Sequence, residues 1–108
     1  MSMSDYSFVE NLLSALPDVP TDSIISHTIL KNEKLHVILF GFAPDQELSE
    51  HTSAYPAILH FVEGEAELTL GDDVKTAVSG TWTYMPPNLP HSITAKTPVK
   101  MLLLMLRG

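Results

Sequence analysis

Histidine suits chemistry at neutral pH, because imidazole ionises near pH 6.5 and its nitrogens serve as acid, base or metal ligand. The chain carries five, His27, His36, His51, His60 and His91, and no cysteine. Without cysteine there is no disulfide framework, no thiol nucleophile and no thiolate metal site. Whatever chemistry the chain performs therefore draws first on its imidazoles. No glycine-rich phosphate loop, no serine-centred elbow and no zinc-helix motif offers an alternative.

Two of the five histidines sit in ordered strings. The first string is Asp45, His51, Ser53, Ala57 and Gly64; the second is Gly80, Pro86, Asn88 and His91, after a gap of fifteen residues (65 to 79). From Leu35 to Leu106 these strings resemble a small bacterial monocupin of the cupin superfamily. The most specific stretch is Tyr84-Met85-Pro86-Pro87-Asn88-Leu89-Pro90-His91. The family's second motif holds a glycine where this chain has Asn88, an exchange that asparagine's tolerance of positive φ makes mild. Asp45 likewise replaces a first glycine, in a turn after Pro44. The resemblance implies an all-β cupin double-stranded β-helix, a jelly-roll-like barrel with its site inside.

The resemblance also implies three histidines and one carboxylate converging on a metal, and here the chain departs. His51 and His91 hold ligand positions, but Ser53 stands for the second histidine and Ala57 for the glutamate. Catalytic metal sites usually take three protein ligands and keep open positions. Two imidazoles without a carboxylate hold a divalent ion weakly. Two readings stay open: a loosely held divalent metal (iron, manganese, nickel or zinc) at His51 and His91, or a metal-free small-molecule pocket with the same imidazoles as polar anchors. The first, on the resemblance, implies an oxygenase, isomerase or cyclase acting on a small organic substrate. The second is a ligand-binding or sensing module.

Candidates for a third donor are His60 and Glu47. Strand side chains alternate, so if Ala57 points inward, Leu59 and Phe61 do too and His60 points away unless a bulge intervenes. Glu47 shares a face with His51 only if its strand is regular that far. Ser53, Tyr55, Ala57, Trp82 and Tyr84 are the candidate pocket lining, although large aromatics in a small barrel are core by default. His27 and His36 read as strand or surface residues, and Met85, Met101 and Met105 as gap-filling core.

The elements that must position these residues are short strands. Runs of β-prone residues at Ile24–Leu30, Leu35–Ala43, Ala57–Val62, Ala66–Leu70, Val74–Val78, Thr81–Met85, Leu89–Thr94 and Val99–Leu106 are separated by turn signals. Eight or nine strands with no helices between them predict a barrel or sandwich. Residues 1–22 read as a lead-in with a short helix, from a Ser7-x-x-Glu10 capping box and apolar Phe8, Val9, Leu12, Leu13 and Leu16, stopped by Pro17 and Pro20. Residues 23–108 form the single barrel domain.

With 6 basic against 13 acidic residues the formal charge is −7, and the six cations are scattered. Nucleic-acid binding and docking to anionic membranes are disfavoured. No run of about 18 apolar residues predicts a membrane span. No basic n-region opens the sequence, so a cytoplasmic protein is expected. Small cupins commonly pair as homodimers, and the apolar run Met101–Leu106 suits a strand covered on both faces.

Overall fold

From Ile24 onward, apolar and β-prone runs separated by Gly, Asn, Asp and Pro turns become strands, and the polar segment Glu47–His51 forms one as well. The computed structural model describes residues 5–108. Nine strands follow one another: β1 (Ile24–Lys31), β2 (Leu35–Phe42), β3 (Glu47–His51), β4 (Ala57–Glu63), β5 (Ala66–Leu70), β6 (Asp73–Ala77), β7 (Trp82–Met85), β8 (His91–Ala95) and β9 (Val99–Leu106). They form two antiparallel sheets, ordered β1-β2-β9-β4-β7 and β3-β8-β5-β6. The expected all-β cupin barrel is what the chain adopts.

The sheets close on an apolar core. In β4, Ala57, Leu59 and Phe61 are buried while Ile58, His60 and Val62 are only partly so, the alternation expected of a strand with one face inward. Phe42, Leu68, Ile93, Val99 and Met101 complete this interior from both sheets. One end of the barrel is thereby filled with side chains, and the other end is left for a cavity.

The turns explain the spaced strings. Asp45, Gly64, Gly80 and Asn88 have φ of 68°, 94°, 95° and 67°. Each stands at a glycine position of the resemblance, so those glycines mark left-handed backbone, which Asp and Asn also tolerate. Asp45 N–H donates to Ala95 O at 2.8 Å and Asn88 N–H to Ser53 O at 2.7 Å, tying the first turn to β8 and the second to the segment that follows β3.

The N-terminal helix expectation needs correction. Only one 3-10 turn forms, Leu12–Ser14, capped by the Asn11 side chain accepting from Leu13 N–H. Ser7 and Glu10 cap nothing helical, and Phe8 is 76% exposed. A helix of so few residues cannot offset its nucleation cost, and the packing goes to Leu16 instead. Leu16 buries against Val37, Leu39 and Leu102 on the outer face of the five-stranded sheet.

Candidate functional site

His51 and His91 are directly opposite one another on β3 and β8. Their ring centroids are 4.2 Å apart with planes inclined by 59°. β8 buries His91, Ile93 and Ala95, so His91 is on the inward face. His51 reaches the same face through an irregularity: the β3–β8 register slips by one residue between Leu48 and His51, as a bulge produces. Leu48, three residues before His51, packs into the core. Glu47 consequently points out, where it accepts from Thr94 Oγ1 at 3.0 Å, and it contributes nothing to the cavity.

Both imidazoles are held the same way. His51 Nδ1 lies 2.8 Å from Ser49 O and His91 Nδ1 lies 2.9 Å from Leu89 O. A carbonyl oxygen only accepts, so each Nδ1 carries the hydrogen and each neutral ring keeps its lone pair on Nε2. Burial lowers the His91 pKa; the Leu89 hydrogen bond opposes this, and the neighbouring His51 adds to it. Charging His91 is therefore disfavoured, and at neutral pH it is a base and an acceptor, not a cation.

The two rings open on a cavity of about 240 Å³ between the sheets, lined also by Ser53, Tyr55, Ala57, Met85, Leu103 and Met105, among others. Ser53, Tyr55 and Ala57 are thus brought to the histidines. Ser53 Oγ accepts from Tyr55 N–H at 3.2 Å, and Tyr55, 43% exposed, stands at the mouth. His60, Trp82 and Tyr84 are not brought there. His60 pairs with Trp82, and Ile58 with Tyr84, on the outer face of the sheet, where Trp82 and Tyr84 are 60% and 49% exposed.

Met85, Met105 and Leu103 were missed as lining. Both methionines pair with Ala57, one from β7 and one from β9; that convergence depends on a strand order that periodicity within one strand does not carry.

A wider cleft of about 650 Å³ lies between the lead-in and the barrel, with Asp18, Asp22, Asp45 and Lys100 among its walls. Lys100 is engaged there, donating to Leu13 O. No imidazole lines it.

Among the described residues no three His, Cys, Asp or Glu side chains are grouped to hold a metal. The cavity does not fit the three-histidine, one-carboxylate centre of the resemblance: its anionic ligand position is Ala57, and Ser53 is committed to its own turn.

Residues 38–106 match the family model described as a cupin domain, Cupin_2. No curated protein matches the chain. Among solved structures the fold is similar to an RmlC-like cupin protein from Desulfovibrio desulfuricans, 26% identical, with TM-score 0.83 over 94% of this chain and 98% of that one. It is also similar to a protein of unknown function from Streptococcus pyogenes, 24% identical, with TM-score 0.84 over 96% and 90% of the two chains. KdgF from a Halomonas species shares the fold at 19% identity, with TM-score 0.80 over 94% and 95%.

Proposed function

The chain belongs to the cupin domain family, and from that premise we propose that it binds a compact organic molecule in the barrel, through its hydrogen-bond donors. The observation that carries this reading is the commitment of both Nδ1 atoms to backbone carbonyls, which leaves two Nε2 acceptors in an otherwise largely apolar cavity. Small-molecule sites commonly have this character, an apolar wall with few placed polar groups. About 240 Å³ suits a single-ring molecule. No lysine or arginine lines the cavity, so an anion finds no counter-charge, whereas a phenol, alcohol or amine finds acceptors. Either Nε2 can take a proton from such a ligand, a general-base role that the reading permits without a metal.

The rival reading, a metal-dependent oxygenase, isomerase or cyclase using iron, manganese, nickel or zinc, needs a third donor and a negative charge that the cavity residues do not supply. The reading extends to a homodimer in the cytoplasm. A second copy covers the outer face of the five-stranded sheet, where Trp82 and Tyr84 stand unburied beside Ile58.

The test is binding of phenol and of benzoate, followed by NMR of the imidazole nitrogens at pH 8. Phenol is expected to perturb Nε2 of both His51 and His91 and benzoate neither, with benzoate binding gained on acidification. Equal binding of both at pH 8, or phenol binding unchanged in His51→Ala and His91→Ala, would overturn it.

A further inference from the structure

We infer that the cavity recognises two adjacent hydroxyl groups on one aromatic ring, a catechol-type ligand held by His51 and His91 together. This names the ligand class of the site proposed above and rests on that organic-ligand reading.

The argument begins with a count of donors and acceptors. His51 and His91 are directly opposed, with ring centres 4.2 Å apart and planes inclined by 59°. Each Nδ1 is spent on the carbonyl two residues earlier in the chain, so each ring keeps Nε2 as an acceptor. An imidazole lone pair lies in the ring plane, and inclined planes aim the two lone pairs along different directions. A single hydroxyl carries one proton and satisfies one of them at a time. For a ligand lying against both rings, an acceptor left without a donor costs more than the hydrogen bond made elsewhere gains. Two donors are therefore selected over one.

The spacing of the rings selects neighbouring positions for those donors. Imidazoles in van der Waals range of each other are met by hydroxyls on adjacent ring atoms, whereas hydroxyls at opposite ends of a benzene ring point away from one another. The depths differ too: His91 is 7% exposed and His51 is exposed. One hydroxyl thus goes in to His91 while its neighbour stops at His51. Hydroxyls also suit the remaining polar wall better than an amino group does. Ser53 Oγ accepts from Tyr55 N–H and keeps its own proton to donate. A hydroxyl oxygen can accept it, whereas the nitrogen of an aromatic amine, its lone pair drawn into the ring, is a poor acceptor.

A second observation, from the other sheet, calls for the aromatic ring. Ala57 on β4 is opposite Met85 on β7 and Met105 on β9, and directly opposed residues of an antiparallel ladder share a face. The middle member of this row ends at a methyl group, so the hollow over it is bordered by two thioethers, and all three residues line the cavity. Methionine sulfur makes favourable contacts with aromatic rings, often at the ring edge. No Asp, Glu, Lys or Arg lines the cavity, which suits a neutral ring and disfavours a charged one.

The full chain, kept free of oxygen and in the presence of a chelator because catechol oxidises and binds metals, is titrated by calorimetry with four probes. These are catechol, hydroquinone, phenol and guaiacol, the last being catechol with one hydroxyl methylated. Catechol is expected to bind roughly fivefold to tenfold more tightly than phenol, the worth of one further hydrogen bond. Hydroquinone and guaiacol should fall to the level of phenol. His51→Ala and His91→Ala should each bring the ratio of catechol to phenol affinity close to one; the comparison of probes on the parent needs no variant, so it decides even if one fails to fold. Catechol bound no more tightly than phenol, guaiacol equal to catechol, or a ratio unchanged in both variants would overturn this inference and leave the organic-ligand reading standing. Absence of binding by all four probes would overturn both.

Discussion

His91 shows how one position sets the character of the cavity. The residue is 7% exposed, its Nδ1–H is fixed on Leu89 O, and burial holds its pKa below the usual value. The linkage has a definite sign. Unfolded, the ring takes a proton at about pH 6.5; folded, it takes one only at lower pH. Between those values the unfolded state binds more protons, so this residue's contribution to stability is full above about pH 6.5 and is lost as the pH falls through the folded value. Urea midpoints measured from pH 7.5 to 5 should fall with acidification in the parent, and less steeply in His91→Gln. Parallel curves for the two proteins would contradict this account of the ring.

The strands and turns act on the site by aiming side chains. Leu48 packs inward and leaves Glu47 pointing out, and the one-residue slip that follows brings His51 opposite His91 on the inward face. The left-handed turns hold these strands in register, and they are not equivalent. At Gly64 a Cβ would lie 2.0 Å from Pro98 O, whereas at Gly80 nothing lies within 4 Å. Both have φ near +95°, so Gly80→Ala should cost about 1–2 kcal/mol for backbone strain alone. Gly64→Ala adds a backbone collision and should cost several kcal/mol, at the upper end for single substitutions. Chemical denaturation of the two variants checks the ranking; equal losses would mean that the contact with Pro98 relaxes freely.

At the scale of the whole molecule, the outer face of the five-stranded sheet has two parts. The chain's own lead-in covers Leu39 and Leu102 through Leu16, which accounts for some of the two-sided burial of β9 without a partner. The rest, with Trp82 60% exposed, is left for the second copy of the proposed homodimer. Trp82→Glu should then shift sedimentation from dimer to monomer while leaving the His51–His91 cavity folded. A parent that sediments as a monomer at micromolar concentration would remove the dimer. No helix among the described residues is long and apolar enough to cross a membrane.

What the sequence determined by itself was local. Alternation along each strand marked Ala57, Leu59 and Phe61 as inward, turn residues marked most strand ends, and positive-φ positions surfaced as the spaced Gly, Asp and Asn of the two strings. Those features need only a residue and its neighbours. The tertiary structure decided what depends on strand order and register. The β3 slip that swings His51 inward, the flanking of Ala57 by Met85 and Met105, and the outward turn of Trp82 and Tyr84 are of this kind. A pairing between residues twenty or more positions apart leaves no periodic trace along either strand. The short helix failed for the complementary reason: its capping pattern was present, but the packing that would have stabilised a helix went to Leu16 on the barrel's outer face.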